Sequence, residues 1–288
     1  MKTSHIYKNL RVFLFLTAMS VFVGSCTEKI DIKLDEGYTR LIVEGTITTD
    51  TMAHTISLSH TTSYYYSEPA PRVSGAIVTL SDGESVFTLA ETEPGIYQTP
   101  DDYAGIPGRT YRLNITLASA ISGEDTYTAS SYMYSGSELD SIKAAYHDDW
   151  GEEGFYELQC YVLDPPTTDF YQFKIYKNDV LVTDTLSKVL VTDDRFYNGN
   201  YTNGIGVGFL DQAKPKEKVF AGDRLTVQTS RITEEYFNFI TELQIQSGYQ
   251  TPLFSGPPAN IKGNISNGAV GFFAAYPVSY SHTQVTEN

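Results

Sequence analysis

The chain has 288 residues and a formal net charge of −15. Such an excess of acidic residues excludes nucleic-acid binding through a basic surface, and it excludes attachment to anionic lipid headgroups by charge alone. Tyrosine occurs 22 times, whereas the two cysteines are too few for a disulfide framework. Aromatic residues together with many Thr, Ser and Gly are typical of a β-rich protein that is exported from the cytoplasm.

Residues 1–25 have the composition of a secretory signal peptide. A basic start is followed by an apolar run, Val12 to Val23, which is shorter than the roughly 20 residues of a transmembrane helix. The run ends in Val23-Gly24-Ser25-Cys26, which resembles a bacterial lipobox. That resemblance implies cleavage before Cys26 and acylation of its thiol and new amino group, which would anchor the mature chain. The alternative is an ordinary signal peptide followed by an unrelated cysteine.

Residues 26–39 are charged and lack a long apolar period, which predicts a tether between the lipid and the folded body. The acidic residues of this stretch are interrupted by Lys29 and Lys33. The stretch therefore has two interpretations, a surface-export signal or a plain solvated linker. The first would place the protein on the cell surface.

Residues 40–134 predict an N-terminal β-sandwich of the Ig-like or regulatory type. The segment His54 to His60 alternates polar and apolar residues, as in a strand with one buried face. Two further strands, Ala76 to Leu80 and Ser85 to Leu89, flank Asp82-Gly83. This dipeptide predicts a hairpin, because glycine accepts positive φ without steric cost.

Three consecutive tyrosines, Tyr64, Tyr65 and Tyr66, lie in a loop close to Pro69 and Pro71. Proline fixes φ, so the loop is expected to be stiff. Exposed tyrosines offer flat contact area with a polar tip, which suits sugars, peptides or a protein partner. We therefore predict that these three residues bind a ligand or partner. The alternative is that their rings lie on the sandwich.

Residues 140–288 predict a second β-rich domain, with strands at 155–163, 170–177, 180–185, 205–210 and 223–229. Cys160 lies in the first of these strands without a basic neighbour, which indicates a small buried hydrophobe rather than a reactive thiol. The acidic loop 148–153 offers oxygen ligands for Ca²⁺ but lacks the spacing of an EF-hand loop. A solvated loop is the favoured interpretation.

One amphipathic helix is predicted at about residues 233–247. Thr233 is placed to cap its first turn, and Gly248 to stop it. Its apolar stripe consists of Tyr236, Phe239, Ile240 and Leu243. We expect this stripe to pack on a sheet rather than to bind a partner. The apolar run Ala269 to Tyr276 is expected to be the central strand that the helix covers.

Three blocks of the sequence resemble the DUF4249 family of Bacteroidetes lipoproteins. They are Leu41 to Gly45, Val73 to Val78, and Pro258 to Gly268 with its continuation to Tyr276. The resemblance extends over nearly the whole mature chain. It implies an accessory lipoprotein of the outer membrane, of the kind found beside TonB-dependent transporters, and it supplies no catalytic residue.

The sequence contains no nucleophile elbow, P-loop or dinucleotide fingerprint, and its five histidines form no ligand pair. We expect those histidines to lie at the surface. The leading hypothesis is a non-enzymatic outer-membrane lipoprotein, without metal or cofactor other than its lipid, that captures ligand for a TonB-dependent transporter or caps it. The alternative is a structural or adhesive surface protein. A hydrolase with dispersed active-site residues ranks last.

Overall fold

The computed structural model describes residues 38–62, 68–248 and 261–286. This part of the chain contains 17 β-strands, one 3-10 turn and one α-helix, so the mostly β fold is confirmed. The strands of the first half are β1 (Leu41–Thr48), β2 (Thr55–His60), β3 (Ile77–Ser81), β4 (Val86–Thr88), β5 (Ala90–Glu93), β6 (Ile96–Gln98), β7 (Thr110–Ile121) and β8 (Glu124–Tyr132).

The second half contains nine strands and both helical elements. They are β9 (Ser141–His147), β10 (Phe155–Tyr161), β11 (Phe170–Lys177), β12 (Val180–Leu181), the 3-10 turn (Leu186–Lys188), β13 (Leu190–Asp193), β14 (Ile205–Asp211), β15 (Arg224–Ile232), α1 (Glu234–Ser247), β16 (Val270–Tyr276) and β17 (Val278–Gln284).

The first sandwich consists of a five-stranded sheet, ordered β16-β1-β2-β6-β5, and a four-stranded sheet, ordered β4-β3-β7-β8. Alternate residues of β1, such as Leu41 and Val43, face the four-stranded sheet and pack with Leu80 and Leu113. All four side chains are fully buried. The period-2 alternation of the sequence therefore places one face of each strand in a shared core.

The hairpin expected at Asp82-Gly83 is confirmed, with β3 and β4 paired on either side of the turn. Gly83 has a φ of +92°, which glycine adopts without the strain of a side chain. Asp82 Oδ1 accepts hydrogen bonds from the backbone NH groups of Glu84 (3.0 Å) and Ser85 (2.7 Å). Its other carboxylate oxygen pairs with Arg109 at 2.5 Å, so side chains as well as glycine shape this turn.

The second sandwich is formed by a three-stranded sheet, β14-β10-β9, and a larger sheet, β12-β11-β15-β17, to which β13 is added beside β11. Leu158 of β10 and Phe173, Ile175 and Val227 from the larger sheet are buried in its core. Cys160 is also in this core, 1% exposed and without a disulfide partner. Its interpretation as a small buried hydrophobe is thus confirmed, and burial raises the pKa of the thiol to about 12.

The expectation that Ala269 to Tyr276 forms a central strand is wrong, because β16 lies at the edge of its sheet. It pairs in parallel with β1, from Ile42 opposite Val270 to Thr48 opposite Tyr276. Parallel strands are joined by long connections, and the connection from β1 to β16 comprises most of the chain, from Thr48 to Val270. Two sets of contacts cover the strand: its odd-numbered residues enter the first core, and its even-numbered ones pack under the helix.

The chain passes directly from one sandwich to the other at Pro277, between β16 and β17. Strand β17 pairs with β15 in the second sandwich. Thr49 stabilises the segment that passes between the sandwiches. Its hydroxyl accepts a hydrogen bond from Val278 N (3.0 Å) and donates one to Val278 O (3.3 Å). Tyr280 adds a hydrogen bond from its hydroxyl to Asp50 at 2.7 Å. The last strands therefore link the two sandwiches.

Helix α1 begins and ends as the sequence predicts. The Thr233 hydroxyl accepts from Tyr236 N at 3.3 Å, and Gly248 is the C-terminal cap. Two acidic residues in the first turn, Glu234 and Glu235, stabilise the positive end of the helix dipole. Ile240 is the buried residue of the helix, whereas Leu243 at the end of the stripe is only half-buried. The stripe therefore leaves part of its surface uncovered.

Candidate functional site

A groove lies where helix α1 crosses the junction of the two sandwiches. Its floor is built by the outward faces of β1, β16 and β11. Leu41, Val43 and Ile47 of β1 are buried in the first core. Ile42 and Glu44 lie on the opposite face of the strand and line the groove. Period-2 alternation therefore produces the floor from the same strands that form the cores.

Aromatic packing holds the helix over this floor. The rings of Tyr236 and Phe239 each lie 5.0 Å from the ring of Phe272 on β16. Tyr236 also stacks on Tyr276, with 5.9 Å between the ring centres. Aromatic pairs at these separations contribute about 0.5–1.5 kcal/mol each beyond the burial of their area. The inner wall of the groove is thus firmly fixed.

The outer rim is fixed by a polar contact between α1 and the 3-10 turn. The side-chain amide of Gln244 donates to the carbonyl oxygens of Leu186 (2.8 Å) and Val189 (2.7 Å). Leu186, Val189 and the half-buried Leu243 all line the groove. Helix α1 and the 3-10 turn, which both border the groove, are therefore held together by hydrogen bonds.

The groove encloses about 610 Å³ and is lined mainly by apolar side chains. Small-molecule sites in proteins measure roughly 300–1,000 Å³ and combine apolar walls with a few polar groups. The groove meets this description, because Lys174 and Gln172 of β11 are two of the few polar side chains in it.

Gln172 and Lys174 have distinctive environments. Gln172 is 3% exposed, and its Oε1 has no hydrogen-bond donor among the described residues. Burial lowers the pKa of Lys174, and its ammonium group makes no ion pair within the part of the chain that the structure describes. Burial also raises the pKa of the neighbouring Tyr236 to about 12, so its hydroxyl is neutral at pH 7. An uncompensated cation thus faces an apolar space.

None of the functional residues predicted from the sequence is among the described residues that line this groove. Cys26, residues 27–37 of the tether and Tyr64 to Tyr66 lie outside the described residues. Sequence reasoning missed Lys174 and Gln172, although the segment Phe170 to Lys177 was recognised as a strand. The sequence did contain a signal for them: Gln172 and Lys174 occupy alternate positions of a strand whose other residues are mainly apolar or aromatic, so both lie on one face.

A second polar cluster is buried inside the second sandwich, away from the groove. Asp169 forms an ion pair with Arg231, and Asp169 N donates to Asp194 Oδ2 at 2.8 Å. Tyr171 donates to Asp164 Oδ1 at 3.0 Å. Asp164 Oδ2 and Asp194 Oδ1 have no donor among the described residues. Burial raises the pKa of both carboxyl groups, and repulsion from Asp194 adds to the shift of Asp164, as repulsion from Asp169 does for Asp194.

The expectation of surface histidines is wrong for His54, which is 3% exposed. It continues the buried face of β2, and its Nδ1 accepts from Thr48 N at 3.4 Å. His147 stacks on Trp150 with 3.8 Å between the ring centres, and its Nε2 lies 3.0 Å from Glu157. In the described ranges no group of three or more His, Cys, Asp or Glu side chains is arranged to hold a metal ion.

These features define a mostly β, double-sandwich protein with an apolar groove at the junction of its sheets. The chain belongs to the DUF4249 family, a domain of unknown function whose model matches residues 27–281. A comparison with curated proteins found no match. Among the described residues, no helix is both long and apolar enough to cross a membrane.

Proposed function

We propose that this chain is a non-enzymatic lipoprotein, anchored in the outer membrane through Cys26, that captures a ligand for a TonB-dependent uptake system. Three observations support the proposal. The N-terminal segment has the layout of a lipoprotein signal. The family resemblance implies a setting beside such transporters. The groove under α1 supplies a place for a ligand.

The groove is the observation that carries the proposal. It combines a volume suited to a small molecule with aromatic walls whose positions are fixed by packing. A preformed site loses little conformational entropy when its ligand binds. Lys174 and Gln172 are the polar groups of β11 that could orient a ligand in such a site.

Affinity purification from outer membranes tests the proposed setting. A tagged chain, extracted in mild detergent from its native host, is expected to retain a TonB-dependent transporter through washing. Self-polymers without a transporter would contradict the proposal and support the structural or adhesive alternative. Recovery of the chain alone would also contradict the uptake setting.

The Cys26→Ala variant tests the anchor. The variant is expected to lose palmitate labelling and to leave the membrane fraction, because no acyl chain remains to hold it. Cys160→Ala is the matched control, since Cys160 is buried in the second core and should leave labelling unchanged. A Cys26→Ala chain that stayed labelled and membrane-bound would refute the lipid anchor.

The tyrosine loop remains the sequence-based prediction for contact with a transporter. Changing Tyr64, Tyr65 and Tyr66 together to Ser is expected to spare folding, because changes at loop tips rarely disturb a core. It should weaken association with the transporter at least tenfold, which is about 1.4 kcal/mol. Unchanged association, with an unchanged circular-dichroism spectrum, would exclude this loop as the contact.

A further inference from the structure

Lys174 is the unusual residue of the groove. Its neighbours along β11, Phe173 and Ile175, face the core of the second sandwich, so Lys174 faces the space under α1. The side chain is half-buried, and no acidic side chain in the described ranges pairs with it. Several other lysines of the second sandwich, such as Lys188 and Lys218, have carboxylate partners.

Leaving a cation in such a place has a free-energy cost. Removal of a charged group from water is unfavourable unless an opposite charge or hydrogen-bond acceptors replace the water. The lowered pKa of Lys174 has burial as its only cause, which is the effect expected of a cation without compensation. An anionic group bound beside Lys174 would restore the missing partner.

Gln172 lies two residues before Lys174 and faces the same groove. Its Oε1 is buried without a donor among the described residues. Buried polar side-chain atoms usually have a hydrogen-bond partner in folded proteins. The same amide contacts the Tyr236 hydroxyl through its nitrogen. Rotation of the amide by 180° would let that hydroxyl donate to Oε1 and would free Nε2 to donate to a ligand carboxylate. The Lys174 ammonium and the rotated Gln172 amide would thus offer N–H donors to one carboxylate on the same side of β11.

We infer that the groove binds an amphipathic carboxylate, with its carboxylate on Lys174 and Gln172 and its apolar body along Phe239, Leu243 and Phe272. The inference rests on the proposed ligand capture and adds the chemical class of the ligand. The floor contributes Ile42 and Val270 to the apolar contact.

The charges around the groove favour a ligand with one negative charge. Arg40 and Glu44 also line it, and both are exposed to water. Their charges have opposite signs and are screened by water, which leaves Lys174 as the least exposed charged residue of the lining. The net charge of the whole chain, −15, would repel a polyanion. A fatty or aromatic monocarboxylic acid matches both conditions.

Fluorescence titration of the purified soluble chain, residues 27–288, tests the inference. The probe is 11-(dansylamino)undecanoic acid, and the competitors are dodecanoate and the uncharged dodecanol. Dodecanoate is expected to displace the probe at least tenfold more effectively than dodecanol, because only dodecanoate offers a partner to Lys174.

The Lys174→Met variant is expected to abolish this preference while it keeps binding to dodecanol. Met has a similar length and no charge, so the substitution removes an uncompensated cation and should not impair folding. Lys143→Met is the matched control, because Lys143 is an exposed strand lysine that does not line the groove. Circular dichroism and a thermal midpoint no lower than that of the parent chain establish that Lys174→Met is folded.

Equal displacement by dodecanoate and dodecanol, or a preference that survives Lys174→Met, would overturn the carboxylate assignment. Self-association abolished by Leu243→Asp, without any probe binding, would also overturn it and would assign the groove to a second copy of the chain. The transporter purification is independent of these titrations. A chain that binds dodecanoate but retains no transporter refutes the uptake setting. A chain that retains a transporter but does not prefer dodecanoate refutes the ligand class.

Discussion

The side-chain amide of Asn264 makes both main-chain hydrogen bonds of Phe273. Its Oδ1 accepts from Phe273 N at 2.9 Å, and its Nδ2 donates to Phe273 O at 2.7 Å. The same Nδ2 also lies 3.1 Å from the Ser130 carbonyl oxygen on β8. The amide therefore takes the place of a neighbouring strand on the open edge of β16 and joins that edge to the opposite sheet.

Asn264→Ala is expected to destabilise the protein by about 1–3 kcal/mol, because it leaves the buried polar groups of Phe273 without partners. Urea unfolding followed by circular dichroism measures the change. Asn238→Ala is the control, since Asn238 is exposed on α1 and should change stability by less than about 0.5 kcal/mol. Similar values for the two variants would show that the edge of β16 does not depend on this amide.

Gly271 allows β16 to approach β1. Its φ is +100°, and a Cβ there would lie 2.1 Å from the Val43 carbonyl oxygen. Gly271→Ala should therefore add a backbone clash to the roughly 1–3 kcal/mol of strain that positive φ costs. Gly83→Ala separates the two effects, because Gly83 has a φ of +92° and open space around its Cβ position. Equal thermal shifts for both variants would contradict the close approach.

His54 should make stability dependent on pH. Burial lowers its pKa below the ordinary value of 6.5, so the unfolded chain binds a proton at a pH where the folded chain does not. Its contribution is present above pH 6.5 and is lost as the pH falls toward the folded pKa. The slope should approach about 1.4 kcal/mol per pH unit there.

Urea titrations between pH 8 and pH 5 check this expectation. His54→Gln should flatten the dependence in that range, whereas His60→Gln should not, because His60 is only half-buried at the end of β2. A parent chain whose midpoint did not change over this range would show that His54 is readily protonated in the folded state.

Neutralising substitutions at the adjacent residues Asp193 and Asp194 should change the free energy of unfolding in opposite directions. Burial raises the pKa of Asp194 above 3.8, so its contribution is lost as the pH rises through the folded pKa. Hydrogen bonding to Arg195 lowers the pKa of Asp193, so its contribution is present above pH 3.8 and is lost in acid.

At pH 7, Asp194→Asn is expected to stabilise the protein by about 1 kcal/mol, comparable to one net hydrogen bond. Asp193→Asn should destabilise it by less than about 1 kcal/mol, because Arg195 is exposed. Thermal midpoints at pH 7 and pH 4 measure both effects, and the gain from Asp194→Asn should shrink at pH 4. Destabilisation by Asp194→Asn at pH 7 would contradict the uncompensated charge.

Helix α1 should tolerate change unevenly along its stripe. Ile240 is 3% exposed, so Ile240→Ala is expected to cost about 2–5 kcal/mol. Leu243 borders the groove and is half-buried, so Leu243→Ala should cost less than half as much. Ile245, which is 69% exposed, supplies the neutral control. A large loss for Leu243→Ala would show that the groove is filled in the folded chain.

Local signals in the sequence predicted the local structure. The Asp82-Gly83 hairpin depends on a four-residue turn, and α1 depends on a cap and a stripe that lie within its own residues. His54 was misjudged because its residue type favours the surface, although its place in the alternation of β2 indicated the core.

The groove and the position of β16 could not be predicted in the same way. Pairing of Val270 with Ile42 depends on contacts between residues far apart in the chain, which no local pattern records. The groove forms only after β1, β11 and β16 have been brought together. Sequence alternation assigns Lys174 to a face of β11, but only the tertiary arrangement shows which surface that face meets.

The crossing at Pro277 has a consequence for biogenesis. Thr49 and Val278, which bond to each other there, are 229 residues apart in the sequence. Neither sandwich has all its strands until the final segment has left the ribosome, and contacts between such distant residues slow folding. Under the export that we propose, a chain translocated during its synthesis would enter the translocation machinery with its native sheets incomplete, and both sandwiches would be completed only after export.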